Sequence, residues 1–221
     1  RRCIDKSVDK DFNEKRHIID YYHDLTDSLN IAPASKRVNF SATNQELNES
    51  KNILQKSELR GVDLIVAIKI TSLPSRSYRD WSEESLVVLM KMLTDRYKNI
   101  GFIAFGGLSE YGKYESIAQK VHTPFLNFSD KGLREFGSIM NYIDLYIGVD
   151  TGVTHLMSSY NKPMIALYHP NMPVCKYGPV NHPKLCLLEA DQQTHLELDK
   201  MALMSTIKPK LVFDKIIKLL E

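Results

Sequence analysis

No stretch of this sequence is long and apolar enough to cross a bilayer. Its longest apolar run, Val62 to Ile70, is broken by Asp63 and Lys69 and falls well short of the roughly 20 residues a spanning helix needs. An apolar segment is also missing behind Arg1 and Arg2, so the start is no secretory signal and reads as a chain cut in mid-protein. Cysteine is scarce: Cys3, Cys175 and Cys186 are odd in number, far apart and without a CxxC pair. That excludes a disulfide framework and fits a reduced, cytosolic compartment. Cys175 and Cys186 with His182 come nearest to a ligand set but lack its spacing, so neither a metal nor a cofactor is expected. A surplus of one charge is lacking too: 29 Lys and Arg against 27 Asp and Glu leave +2, not the dense basic face of a nucleic-acid binder. The dinucleotide fingerprint GxGxxG and the P-loop GxxxxGK[ST] are both absent.

What is present is an ordinary globular composition, 43% hydrophobic and 25% charged, on a chain long enough to bury a sizeable core. From Asp11 to Asn30 the residues Ile18, Tyr21, Tyr22, Leu25 and Leu29 recur at helical spacing. A short strand is expected at Arg37-Val38-Asn39-Phe40 and a polar helix from Asn44 to Leu59.

After Gly61 the pattern changes to short apolar runs alternating with helix-length segments. Strands are expected at 64–68, 100–105, 124–126, 145–148 and 164–167, with a sixth at 185–188. Helices are expected at Ser82 to Tyr97, Tyr111 to Val121, Leu133 to Asn141 and Val153 to Tyr160, and a closing amphipathic helix at Lys210 to Leu220. Because βαβ crossovers are right-handed, this alternation predicts an α/β fold, a doubly wound parallel sheet of Rossmann-like type with helices on both faces. Such sheets bind ligands beyond the carboxyl ends of their strands.

The most informative stretch runs from Asp144 to Pro163. A strand leads into Val149-Asp150-Thr151-Gly152-Val153-Thr154-His155 and then a short helix. A helix start offers unpaired N–H groups and partial positive charge, which suit a phosphate. Thr151 and Thr154 add hydroxyls, Gly152 lets the backbone come close, and His155 stands about one turn after Thr151. Local chemistry leaves a second reading open: Asp150 or Thr151 simply caps the helix, and His155 packs against the sheet.

In this stretch the sequence resembles the heptosyltransferase-like glycosyltransferases of family nine, whose hallmark is an Asp-Thr-Gly-x-x-His box followed by a short helix, a Pro-x-Ile/Val strand and a proline-bearing loop. Here Asp150-Thr151-Gly152-Val153-Thr154-His155 is followed by Lys162-Pro163-Met164-Ile165-Ala166-Leu167-Tyr168 and by Pro170, Pro173 and Pro179. Three weaker stretches extend the likeness over most of the chain. Glu14, His17 and Tyr22 resemble the helix linking the two domains, Ser77-Tyr78-Arg79-Asp80-Trp81 a basic-x-Trp motif, and Gly106-Gly107-Leu108-Ser109-Glu110 a nucleoside-contacting loop. Two positions depart from the family: it usually has Lys where Arg79 stands, and Gly near His169.

The resemblance implies the C-terminal, donor-binding half of a two-domain enzyme of the GT-B type. It would comprise a linker helix and N-terminal remnant over residues 1–60, a nucleotide-sugar-binding domain over 61–209 and a closing helix over 210–221. It implies metal-independent, inverting transfer of a sugar, heptose from ADP-heptose being the family's case, to a lipopolysaccharide core or related glycan. Arg79, Asp150, Thr151, Gly152, Thr154 and His155 would hold the donor diphosphate, Glu110 and Gly107 would contact the nucleoside, and His169 the sugar. Arg76 is a second basic residue in the same loop, able to substitute for Arg79. Replacing Asp150 or Arg79 is expected to abolish nucleotide binding and leave the fold intact.

By the same resemblance, the general base lies in an N-terminal domain that this sequence does not contain, so the chain alone is expected to bind donor without transferring sugar. The implied partners are a nucleotide-diphosphate sugar, a glycan or lipopolysaccharide acceptor and that N-terminal domain. The implied location is cytoplasmic, peripheral at the inner membrane of a Gram-negative bacterium. Two other readings compete: a non-catalytic binding module on the same fold, and an unrelated doubly wound enzyme using a mononucleotide cofactor, which the missing fingerprints disfavour.

Overall fold

The computed structural model describes residues 16–32, 35–191 and 202–221. Cys3, Glu14 and the predicted helical turn at 11–15 lie outside the described residues. The chain opens on α1 (Ile18–Ser28) and α2 (Asn44–Lys56) and then alternates through β1 (Leu64–Lys69), α3 (Glu83–Arg96), β2 (Ile100–Ala104), α4 (Tyr111–Val121), β3 (Phe125–Asn127) and α5 (Leu133–Ile139). It continues with β4 (Leu145–Val149), α6 (Gly152–Met157), β5 (Met164–Tyr168), α7 (Val174–Tyr177), β6 (Leu185–Glu189) and α8 (Pro209–Leu220).

All six strands pair in parallel in the order β3-β2-β1-β4-β5-β6. This is the doubly wound arrangement the alternation predicts. Strands β1, β2, β4 and β5 are buried nearly throughout, as expected where helices cover both faces of a sheet. The two-residue strand period sends Val66 and Ile68 into one core with Leu86, Leu89, Met90 and Ile216, while Ile65 and Ala67 enter the other with Phe136, Ile139 and Met157.

Each helix starts where its sequence allows. Ser82 caps α3 by accepting from the Ser85 N–H, and Thr43 and Glu46 form a reciprocal capping box at α2. Leu54 of α2 and the following Leu59 belong to the core shared by Ile65 and Phe136, so the packing of the sheet domain reaches upstream of residue 61.

The expected strand at residues 37–40 does not form; the segment is coil. Its side chains are committed elsewhere: the Phe40 ring lies under the Arg134 guanidinium, and Arg37 Nε donates to the Ser158 carbonyl at 3.0 Å. No helix among the described residues is long and apolar enough to cross a membrane.

Candidate functional site

Strands β1 and β4 are neighbours in the sheet, yet their connections run in opposite directions, β1 toward β2 and β4 toward β5. At such a switch point the two loops part and leave a crevice beyond the carboxyl ends. A cavity of about 690 Å³ occupies it, walled by residues of both loops and by Ile18 and Tyr22 of α1.

The first wall is the loop from Thr71 to Asp80. Its ends are held together because the Trp81 N–H donates to the Ile70 carbonyl at 3.0 Å and the buried Trp81 indole donates to the Ile207 carbonyl at 2.9 Å. Within it, Pro74–Arg79 forms a 3-10 turn broken at Arg76, whose φ of −130° and ψ of 21° are not helical. Asp80 braces the loop by accepting from the Ser72 N–H at 2.7 Å, and Ser72 Oγ lies 2.6 Å from both Asp80 Oδ1 and the Arg76 carbonyl. Burial raises the Asp80 pKa against the lowering effect of the Ser72 hydrogen bonds.

The second wall is Asp150-Thr151-Gly152 with His155. Thr151 is the N-cap of α6, with extended backbone at φ −145° and ψ 167°, and its side chain makes no capping hydrogen bond. A Cβ built on Gly152 would meet nothing within 4 Å, so the backbone there faces open space.

The two walls meet through charge. Arg79 Nη1 donates to Asp150 Oδ2 at 2.8 Å, with side chains only 6% and 7% exposed, and His155 Nε2 lies 3.4 Å from the other carboxylate oxygen. Tyr78 extends the array: its ring sits beneath the Arg79 guanidinium and meets His169 edge-on at 4.9 Å. The structure thus brings Arg79, Asp150, Thr151, Gly152 and His155 together around one cavity.

Four predicted site residues do not line this cavity, and two of these, Thr154 and His169, are buried behind its walls. Thr154 is fully buried and donates its hydroxyl to the Val149 carbonyl, with the Tyr146 hydroxyl 2.8 Å away. It ties α6 to β4 from beneath, so it does not offer its hydroxyl to a ligand. His169 is also fully buried, its Nδ1 accepting the Asn171 N–H at 3.1 Å. It backs Tyr78 and does not contact the cavity. Burial also pushes the Tyr168 hydroxyl far above its ordinary range, with the Asp150 charge adding to the shift.

Glu110 and Gly107 do not line the crevice. They sit on the same sheet edge, past β2, one strand over from β1. The Glu110 carboxylate accepts from Lys69 Nζ at 2.7 and 2.8 Å and from the Gly107 N–H at 2.6 Å. Lys69 also donates to Thr71 Oγ1 at 2.8 Å, and burial lowers its pKa against the opposing effect of Glu110. Lys69 escapes a reading for site residues because it looks like an interruption of an apolar strand. A lysine entering the buried end of a strand without a neighbouring acid in sequence was the available signal. Strands lie roughly 4.8 Å apart, which puts the end of β2 roughly 10 Å from that of β4.

Cys175 is exposed and Cys186 half-buried. Both His182 ring nitrogens are engaged, with the Tyr160 carbonyl and the Lys184 N–H. Among the described residues no three His, Cys, Asp or Glu side chains gather as metal ligands do.

A model of glycosyltransferase family 9 (heptosyltransferase) matches residues 3–207. No curated protein matches the chain. Among solved structures, the glycosyl transferase family 9 protein of Veillonella parvula superposes with a TM-score of 0.79 at 18% identity over 95% of this chain and 61% of its own. The E. coli ADP-heptose LPS heptosyltransferase II gives 0.66 at 15% identity, covering 82% of this chain and 53% of that one. E. coli heptosyltransferase WaaC with ADP gives 0.64 at 16% identity, covering 94% and 58%. The chain therefore spans about three fifths of the length of the Veillonella protein. At these identities the superpositions establish the fold, a Rossmann-like domain of the kind found in GT-B glycosyltransferases. The family assignment rests on the match to residues 3–207: this chain belongs to glycosyltransferase family 9, the heptosyltransferase family.

Proposed function

We propose that this chain is the donor-binding part of a glycosyltransferase, seating the diphosphate of a nucleotide sugar in the crevice between the loops after β1 and β4. One observation carries the reading: residues far apart in sequence, Arg79 on one side and Asp150, Thr151, Gly152 and His155 on the other, converge on a single cavity at the switch point. The N–H groups at Thr151 and Gly152, without a hydrogen-bond partner among the described residues, and the Thr151 hydroxyl are donors suited to phosphate oxygens. With the nucleotide lying along the sheet edge, the nucleoside reaches the Gly107-to-Glu110 loop past β2, where the carboxylate is held rigid by Lys69.

In this reading charge grows on the departing diphosphate as the sugar bond breaks, and donors fixed in advance stabilise it. Losing one such donor typically costs about 3 kcal/mol, roughly a hundredfold in rate. The donors and cations of the crevice carry that charge in a metal-independent, inverting transfer. ADP-heptose is the proposed donor and a lipopolysaccharide core or related glycan the proposed acceptor. The E. coli relatives bearing the names heptosyltransferase II and WaaC support that choice. The group that takes the acceptor's proton is proposed to lie in a separate N-terminal domain, so this chain alone binds donor without turnover.

A thermal-shift series with ADP, UDP, GDP and their sugars tests the reading. A true ligand at about 100 times its dissociation constant adds about 2.7 kcal/mol of stability. Silence from every nucleotide would favour a non-catalytic interaction domain on the same fold.

A further inference from the structure

How this cavity could hold an anion depends on where its positive charge resides. Three lining residues carry full charges, Arg76, Arg79 and Asp150. Arg79 and Asp150 neutralise each other at 2.8 Å with side chains 6% and 7% exposed. Arg79 Nη1 is committed by that pair, and a swing of the whole guanidinium to a ligand would leave a buried carboxylate unpaired. His155 leans on that same carboxylate at 3.4 Å.

Arg76 is the charge left over. It is exposed, it lines the crevice, and its guanidinium has no hydrogen bond or ion pair among the described residues. Its backbone, by contrast, is tied down: the N–H donates to the Leu73 carbonyl at 2.7 Å and the carbonyl accepts from Ser72 Oγ at 2.6 Å. Asp80 grips Ser72 in turn. At Arg76 the chain leaves helical geometry. A fixed backbone carrying an uncommitted guanidinium on a cavity wall suits a side chain that closes on an arriving anion, and the planar fork matches two phosphate oxygens at once.

We propose that Arg76, rather than Arg79, is the cation that meets the donor's diphosphate, and that Arg79 is a positioning residue which fixes Asp150 and through it the backbone turn at Thr151. This inference rests on the donor-binding reading above.

The test is calorimetric titration of ADP, GDP, UDP and inorganic pyrophosphate into the unaltered chain and into Arg76→Ala, Arg76→Lys, Arg76→Glu and Arg79→Lys, at low and high salt. Arg76→Ala should weaken the best-bound diphosphate by about ten- to a hundredfold. It should also flatten the salt dependence of binding, while leaving the corresponding nucleoside and the unliganded melting temperature unmoved. Arg76→Lys should recover part of the loss, and Arg76→Glu should lose more. Arg79→Lys, which can still pair with Asp150, should weaken diphosphate less than Arg76→Ala does and should change nucleoside and diphosphate affinity alike.

Undiminished diphosphate affinity in Arg76→Ala would overturn the proposal, as would an equal loss of nucleoside and diphosphate. A loss of diphosphate affinity in Arg79→Lys at least as large as that in Arg76→Ala, with nucleoside binding unmoved, would return the role to Arg79. If the unaltered chain binds no nucleoside diphosphate and no pyrophosphate, the donor-binding reading itself fails, a result distinct from all of these.

Discussion

Arg79 and Asp150 form a buried ion pair that joins the loop after β1 to the loop after β4, 71 positions apart in sequence. Removing one member strands the other as an uncompensated buried charge, which costs about 3–5 kcal/mol. Arg79→Ala and Asp150→Ala should therefore each lower the melting temperature, by roughly 2–4 °C per kcal/mol for a chain of this size. This revises the expectation that such variants spare the fold. The double variant Arg79→Met/Asp150→Leu should lose less than the two single losses combined. Strict additivity in calorimetric melts would show that the pair is not coupled.

Two glycines separate binding from stability. A Cβ at Gly148 would collide with the Tyr146 ring, whereas one at Gly152 meets nothing within 4 Å. Gly148→Ala should unfold the chain at markedly lower denaturant. Gly152→Ala should leave the stability unchanged or raise it by about 0.4–1 kcal/mol, while weakening nucleotide binding by occupying the approach to the diphosphate. A loss of stability in Gly152→Ala comparable to that in Gly148→Ala would contradict this.

Thr154 makes a third case. Its hydroxyl bonds the Val149 carbonyl and lies 2.8 Å from the Tyr146 hydroxyl, all buried. Thr154→Val leaves Tyr146 without that partner and should cost about 1–3 kcal/mol. Adding Tyr146→Phe should return part of the loss, because the stranded hydroxyl is gone. Urea melts of the two single variants and the double variant form the cycle; no recovery in the double variant would sink the account.

The clamp between α2 and α5 carries a pH dependence. Arg134 holds the Glu46 carboxyl down at about 2 against an ordinary 4.5, with the Thr43 N–H adding to the effect. A carboxyl depressed on folding contributes stability fully above its unfolded pKa of 4.5 and loses it as pH falls toward about 2. In Arg134→Ala, carboxyl NMR should find Glu46 moved back toward the ordinary value. The stability difference from the unaltered chain should be greatest near neutral pH and fade in acid. A Glu46 titration unmoved by the substitution would refute the clamp.

Much of this architecture is readable from residues alone, for identifiable reasons. Runs such as Leu64 to Ile68 and Leu145 to Gly148 are apolar without interruption because helices bury them on both faces. Ser82 marks its helix start by a side chain that caps it. Depth was not readable. Thr154 and His169 carry the chemistry of ligand contacts, yet both are fully buried, since spacing along a helix or loop fixes direction and not what lies above it. The strand expected at Arg37-Val38-Asn39-Phe40 failed for a related reason: Phe40 and Arg37 are held by residues of α5 and α6's C-cap, partners that local propensity does not contain. The partner of Lys69 was not readable, because its acid, Glu110, arrives from another strand's loop.

The sheet order β3-β2-β1-β4-β5-β6 also governs when during folding the crevice can exist. The β1-to-β3 unit and the β4-to-β6 unit can each gather from nearby chain, but the β1–β4 seam must close a long intervening segment, at an entropic cost that grows with its length. Neither unit alone encloses a binding space, so a refolding chain should acquire nucleotide affinity only with the step that zips this seam, whatever helix content it has gained before. Rapid-mixing fluorescence with a labelled nucleotide would follow that step, and capture arriving with the earliest helical signal would rule the ordering out.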